Sequence, residues 1–491
     1  MGMRCVVFGA TGYIGGRLIP ELLRAGHEVR AVARDTGKLA EAPWRDQAEV
    51  VHGDVTDPAS VGAALEGQEV AYYLVHALHQ HDFVARDRAA AATVASRARA
   101  AGVGRIIYLG GLTPDSAELS SHLASRAEVG RILLESGVPT IVLRAAVILG
   151  SGSASFEMLR HLTERLPMMV TPRWVHNRVQ PIAVRDVLHY LVRAAALEGE
   201  INRGFDIGGP DVLSYLDMMR RYALVAGLPR RLVIPVPMLT PWLSAQWVNL
   251  VTPVPRSIAV PLIESLVHEV VCADDDISAY IPAPDAGRIS CDRAIELALG
   301  RIRDADVPTR WSDAAILGAP SGPLPSDPAW AGGTLYEDVR ERSTSAEVRI
   351  LWQVIESIGG EHGWYSFPLA WSVRGWIDRL LGGVGLRRGR RDPRYLHLGE
   401  ALDWWRVEYL DRPHELRLRA EMRLPGRAWL ELSAVPDPAG GARYRQRAVF
   451  EPHGLAGHLY WKAIAPFHGL IFGGMVRNIT NTAERRGIPA G

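Results

Sequence analysis

Short apolar runs alternate with stretches of helical periodicity through the first half of the chain. Arg4–Phe8, Glu28–Ala33, Glu49–His52, Val70–Val75, Arg105–Leu109 and Thr140–Arg144 are apolar runs of four to six residues. They are too short for helices, and they read as strands. Between them Gly15–Ala25, Pro58–Ala64, Phe83–Ala101 and Ser121–Ser136 carry helical spacing. Strand and helix in alternation, joined by short connections, predict an α/β fold with a doubly wound parallel sheet covered by helices. Phe205–Gly208 adds a later strand and Met218–Ala226 a later helix.

The pattern changes after residues 319–334, APSGPLPSDPAWAGGT, where five of the first ten positions are proline or glycine. That composition disfavours both helix and strand, so a linker is expected there, between a first domain (1–318) and a second (335–491). A strand-like Leu335–Glu341 then precedes a helix at Ser345–Ser357. Alternating runs follow at Asp403–Tyr409, Glu415–Arg423, Arg427–Ala434 and Arg443–Phe450, and a long helical stretch, Leu455–Arg485, comes last. Strand, helix, antiparallel strands and long helix make an α+β plan. Two domains also suit a chain of 491 residues, which exceeds what one hydrophobic core serves.

The formal net charge of +1 gives no long-range attraction to nucleic acid, and none is expected as a partner. Three cysteines, Cys5, Cys272 and Cys291, form no disulfide framework and no zinc-ligand spacing. They fit a reducing compartment, and a first strand that starts at Arg4 leaves no room for a signal peptide, so a cytoplasmic location is expected. The most apolar stretch, Ile234–Val271, is interrupted by six prolines and predicts no transmembrane helix. Within it Pro235–Val267, with Trp242 and Trp247, could line a substrate cleft, touch a membrane surface peripherally, or fill an ordinary core.

The first strand runs directly into Gly9-Ala10-Thr11-Gly12-Tyr13-Ile14-Gly15 and then into a helix. Gly9 permits the sharp turn, Gly12 clears the backbone for a pyrophosphate, and Gly15 lets the helix pack closely. The helix N-terminus adds free N–H groups and partial positive charge. The second strand ends in Arg34-Asp35. An arginine here accommodates the 2′-phosphate of NADP and an acid would hold the ribose of NAD, so NADP(H) is the favoured cofactor and NAD(H) the alternative. Gly53-Asp54-Val55 follows the third strand. Asp54 is placed to reach the adenine amino group, or else to cap the next helix.

Read together with Tyr72–Ala77, Tyr108–Leu112, Ser121–Glu128, Leu143–Phe156, Gln180–Val187 and Phe205–Pro210, these residues resemble the atypical short-chain dehydrogenase/reductases, in particular the NmrA-like and YbjT-like branch. The resemblance covers roughly residues 1–310. It implies dinucleotide contacts from Gly9, Thr11, Gly12, Tyr13, Ile14, Gly15, Arg34, Asp54, Val55 and His76. The second domain resembles the helix-grip proteins of the START-like, SRPBCC superfamily, by element order alone. Such folds clasp apolar ligands between a sheet and a final helix. Trp404, Trp405, Trp429, Trp461, Phe467 and Phe472 would suit such a cavity or a filled core.

The wider superfamily uses a tyrosine and, four positions later, a lysine that lowers its pKa. This chain departs from that pattern, since its only lysines are Lys38 and Lys462. His122 and Arg126 stand at the corresponding places. Histidine titrates near neutrality and can serve as acid or base, and arginine can hold the ribose. Thr113 is a weaker stand-in for the superfamily's serine. His76, His79, His81 and Asp82 cluster without a recognised ligand spacing, so no metal is assigned. The expected protein is an NADP(H)-dependent oxidoreductase acting on a small or lipid-like apolar substrate. The rivals are a non-catalytic NADP(H) sensor or assembly factor, and a quinone- or lipid-binding protein.

Overall fold

In the first strand, β1 (Arg4–Phe8), Cys5 and Val7 face one core while Val6 and Phe8 face another, as a strand buried on both sides requires. The computed structural model describes residues 2–40, 42–76, 83–114, 119–235, 256–306, 335–359, 364, 395–422 and 424–487. The chain divides into two compact units, Met1–Gly333 and Thr334–Gly491.

In the first unit β1 is joined by β2 (Glu28–Ala33), β3 (Glu49–His52), β4 (Val70–Tyr73), β5 (Arg105–Gly111), β6 (Thr140–Ala145) and β7 (Arg203–Ile207). They form one parallel sheet in the order β7-β6-β5-β4-β1-β2-β3. This is the expected doubly wound plan. The strand order reverses between β1 and β4, and a crevice opens beyond their carboxyl ends. Helices α1 (Tyr13–Arg24) and α6 (Val184–Ala195) pack on the face carrying Cys5 and Val7. Helices α2 (Pro58–Leu65), α3 (Phe83–Ala100) and α4 (Ser121–Leu134) pack on the face carrying Val6 and Phe8. All three cysteines are unpaired, and Cys5 is a buried core residue, as its strand predicts.

A third core in this unit joins α5 (Ala154–Arg165), α7 (Tyr215–Val225), α8 (Arg256–Leu266) and α9 (Cys291–Asp306). It stands beside the crevice. Helix α8 carries Pro261 in its interior. Part of the expected apolar segment, with Trp242 and Trp247, lies outside the described residues.

The second unit holds β8 (Tyr336–Thr344), α10 (Val348–Glu356), β9 (Ala401–Leu402), β10 (Trp405–Asp411), β11 (Glu415–Ala420), β12 (Gly426–Pro436), β13 (Ala442–Pro452) and α11 (Gly454–Gly487). The sheet is antiparallel, in the order β8-β13-β12-β11-β10-β9. Leu416, Leu418, Leu430, Leu432 and Ala434 turn one face toward α10 and the C-terminal half of α11. The element order is the one expected. Trp404, Trp405 and Phe472 are core residues, whereas Phe467 is 60% exposed. Trp461 stacks between Tyr336 and Phe450, and Trp429 donates its indole N–H to Glu408 at 2.9 Å. The aromatic side chains thus divide among core, helix-to-sheet stacking and surface. No helix among the described residues is long and apolar enough to cross a membrane.

Candidate functional site

A cavity of about 920 Å³ opens at the strand-order reversal of the first unit. Its floor is the glycine loop. Gly9 has φ +90°, and a Cβ there would lie 2.7 Å from the Leu74 carbonyl oxygen at the end of β4. Only glycine takes both the dihedral and the contact without strain. A Cβ on Gly15 would overlap the Gly9 carbonyl, so the third glycine of the loop seats α1 against it. Helix α1 begins after Gly12 with no side-chain cap and no acid in its first turn. Its N-terminal N–H groups and dipole are therefore available to an anion. Arg17, fully buried, lies 4.0 Å beneath the Tyr13 ring and donates to the Ser151 carbonyl at 3.4 Å, fastening the loop to the segment after β6.

Gly9, Thr11, Gly12, Tyr13, Ile14, Arg34, Asp54, Val55, His76, His122 and Arg126 all line this one cavity, whereas Gly15 lies behind it. Arg34 and Asp35 have different surroundings. Asp35 accepts the Gly37 N–H at 3.0 Å and caps the turn Thr36–Leu39. Arg34 lines the cavity and is joined by Lys38, a cation that the sequence reading passed over although it stands four residues on. Asp54 accepts from the backbone and hydroxyl of Thr56 at 2.9 and 2.8 Å. Those bonds hold its carboxyl below the usual carboxylate range. Asp57, not Asp54, caps α2.

At the other end of the cavity, α4 begins at Ser121 and carries His122 and Arg126 one turn apart on one face. Arg126 donates to the Leu109 carbonyl at the end of β5 and lies over the Tyr108 ring, 5.5 Å from its centroid. His122 is 8% exposed, and both its ring nitrogens are engaged. Nδ1 lies 2.9 Å from Ser265 Oγ of α8, and Nε2 lies 3.0 Å from Nε2 of His76. The two imidazoles stack with centroids 5.1 Å apart. His76 Nδ1 in turn lies 2.8 Å from the buried carboxylate of Asp87 on α3. The site therefore holds a continuous chain, Asp87–His76–His122–Ser265.

The resemblance called for His76 among the cofactor contacts; the ring meets protein groups through both nitrogens. Asp87 and Ser265 were missed for a simple reason. Nothing in the local spacing of either marks it, and each meets the histidines only through the tertiary fold. His79, His81 and Asp82 lie outside the described residues, among which no group of potential metal ligands occurs.

Burial, then the charges of Arg126 and His76, push the His122 pKa down to about 2. His122 is therefore neutral in the folded protein at every ordinary pH. A histidine held neutral in the fold but protonated below pH 6.5 when unfolded draws protons to the unfolded state, so its contribution to stability is lost as pH falls below that value. Between pH 7.5 and 5 the first unit should lose about 2 kcal/mol from this group, from the integrated linkage relation. Denaturant unfolding at the two pH values checks it, and His122→Gln should remove this part of the slope.

Residues 9–147 match the family model described as NAD(P)H-binding. That match falls on the glycine loop, Arg34, Asp54, His76, His122 and Arg126 alike. The first unit carries an NAD(P)H-binding Rossmann domain. Residues 330–475 match a family described only as a protein of unknown function, DUF2867, which supplies no support for the START-like assignment. An uncharacterized protein of Mycobacterium tuberculosis is 26% identical over 229 residues, 46% of this chain and 24% of that protein, so the chain spans about a quarter of its length. The chloroplastic divinyl chlorophyllide a 8-vinyl-reductase of Oryza sativa subsp. indica is 27% identical over 262 residues, 50% of this chain and 63% of that enzyme. Among solved structures, the Citrobacter sp. triphenylmethane reductase complexed with NADP(H) is 21% identical, covering 60% of this chain and 100% of that one at a TM-score of 0.49.

Proposed function

We propose that the protein is an NADPH-dependent reductase of small, apolar, electron-poor acceptors. The observation that carries the reading is the cavity itself. One end is lined by the glycine loop, Arg34 and Lys38 and the other by the histidine network, and the two are continuous. A pure sensor needs only the first. In this reading Gly9, Thr11, Gly12, Tyr13, Ile14 and Gly15 form and support the pyrophosphate cradle, and Asp54 with Val55 borders the adenine. Arg34, with Lys38, meets the 2′-phosphate. Arg126, held by the Leu109 carbonyl, faces the nicotinamide ribose in place of the superfamily's lysine.

Bound NADPH supplies a hydride, and the chain's own residues do the rest. The wall formed by Met158, Ile258, Leu262, Leu266 and Val270 excludes water and favours an apolar acceptor. The His122 network supplies the proton that must accompany the hydride. The reductase named among the relatives is in keeping with this chemistry. The network speaks for turnover over sensing because cofactor binding alone gives no reason for two stacked, hydrogen-bonded imidazoles at the cavity wall.

The test begins with calorimetry. NADPH should bind more tightly than NADH. Arg34→Ala should narrow the gap by about one to two decades, the worth of a charge-assisted phosphate contact of roughly 1.5–3 kcal/mol. Equal or tighter binding of NADH by the native protein rules out the NADPH assignment. NADPH oxidation in the presence of a panel of quinones and activated alkenes then distinguishes a reductase from a sensor.

A further inference from the structure

We propose that Ser265 is the group that hands the proton to the acceptor, and that His122, His76 and Asp87 form the relay that reloads it. The inference rests on the reductase reading for its acceptor, but the relay itself is a property of these four side chains.

Hydrogen-bond arithmetic leads to it. Ser265 has one hydroxyl proton and two acceptors within reach, the Pro261 carbonyl at 2.8 Å and His122 Nδ1 at 2.9 Å. It can donate to one at a time. If it donates to Pro261, His122 must carry its proton on Nδ1 and donate to Ser265 Oγ. His122 Nε2 is then bare and must accept from His76 Nε2, while His76 Nδ1 donates to Asp87. His76 is then an imidazolium, paired with the Asp87 carboxylate. If Ser265 instead donates to His122 Nδ1, the His122 proton lies on Nε2 and is donated to His76 Nε2. His76 is then neutral, with its proton on Nδ1 toward Asp87. The two arrangements use the same heavy-atom contacts and differ by one proton. The three bonds that link Ser265, His122, His76 and Asp87 are satisfied in both, and the bond from Ser265 to the Pro261 carbonyl in the first alone.

Passage from the first arrangement to the second delivers that proton. The Ser265 O–H bond breaks as its proton goes to the acceptor atom that must be protonated. Ser265 Oγ takes the proton of His122 Nδ1, and His122 Nε2 takes the proton of His76 Nε2. One proton has left, and the His76–Asp87 pair has passed from zero net charge to −1. Positive charge rests only on His76, beside its carboxylate, because His122 is too deeply buried among cations to keep it. The His76 side chain retains 17% exposure and Asp87 only 5%, so solvent reloads the relay at His76. Ser265 lines the cavity, and both nitrogens of His122 are occupied inside the chain of contacts, which leaves the hydroxyl as the delivering group. Ser265 is thus the catalytic residue, and Asp87 is a positioning residue that acts through His76.

The experiment has two arms, both on the full chain. In the first, the protein labelled with ¹⁵N-histidine is examined by NMR without cofactor, and His76→Gln and His122→Gln assign the two rings. At neutral pH His76 should show both nitrogens protonated and His122 one. Asp87→Asn should abolish the doubly protonated His76, and Ser265→Ala should move the signals of His122 and, through it, His76. Independent rings that ignore Asp87→Asn overturn the relay whether or not any acceptor is reduced. In the second arm, NADPH oxidation is followed with menadione as the probe quinone. Ser265→Ala should lower turnover by about 100-fold, as loss of a positioned acid does, with NADPH affinity within about twofold of native. Ser265→Thr, which keeps the hydroxyl, should restore most of it. Undiminished turnover in Ser265→Ala overturns the assignment of the hydroxyl. If the native protein oxidises no NADPH with any acceptor, the reductase reading fails alone and the NMR arm decides the relay.

Discussion

Gly15→Ala should abolish NADPH binding and lower the stability of the first unit together, while Gly12→Ala should abolish binding and leave the fold standing. The two glycines stand three residues apart but meet different obstacles. A Cβ on Gly15 would overlap the carbonyl oxygen of Gly9 and press on Ala10, both backbone, so the loop and α1 must separate. Forcing an extra carbon into packed backbone costs about 1–3 kcal/mol and sometimes more. The separation also moves the N–H groups on which an anion site depends, and every 1.4 kcal/mol lost from binding is about a factor of ten in affinity. A Cβ on Gly12 meets only the Gly9 carbonyl, at 3.1 Å, a contact that a few tenths of an ångström relieve. What it occupies is the cavity side of the loop, where the pyrophosphate is proposed to lie. Thermal melts and NADPH titrations of the two variants give the comparison. Native affinity in Gly12→Ala would place the pyrophosphate elsewhere.

The loop was legible because its chemistry is local: strand, turn and helix N-terminus follow one another in sequence, and each glycine answers to a neighbour within a few positions or to the adjacent strand. The six early strands were legible for a related reason, since each is a brief apolar run bounded by helical periodicity. Helix α5 was not. Its buried face includes Glu157, Arg160 and His161 as well as Phe156, Leu159 and Leu162, so the apolar stripe that announces a helix is interrupted by charges that pair inside the fold. Arg160 meets Glu157 through two bonds, at 2.9 and 2.6 Å, and nothing in the order of residues says that these charges face inward. Helix α8 was hidden differently, by Pro261, which reads as a breaker but occupies the interior of the helix. Ser265 was lost with it. Asp35 shows the opposite case: its identity argued for NAD, and only the fold shows that one of its carboxylate oxygens caps the next turn.

His122→Gln should lower reductase turnover by about 100-fold or more, the contribution of a positioned acid–base group, while NADPH affinity stays close to native. Glutamine is the informative replacement. Its amide can donate through nitrogen and accept through oxygen, so it can still bridge His76 and Ser265 and keep the cavity wall filled. It cannot take a proton on one side and release one on the other. A residue that merely braces α4 against α8 would therefore be served by glutamine, and His122→Ala alone would be damaging, through the buried cavity it leaves. A residue that passes protons is lost equally in both variants. Arg126→Ala should behave differently again, weakening NADPH binding as well as turnover, because its guanidinium is proposed to face the ribose. Removing that cation also lifts one of the influences holding His122 neutral, so the His122 pKa should rise from about 2 toward the ordinary histidine value. Turnover that survives His122→Gln but not His122→Ala would reduce His122 to a brace and leave the proton to another route. Equal loss in both, at unchanged NADPH affinity and unchanged melting temperature for the glutamine variant, would place it in the path of the proton.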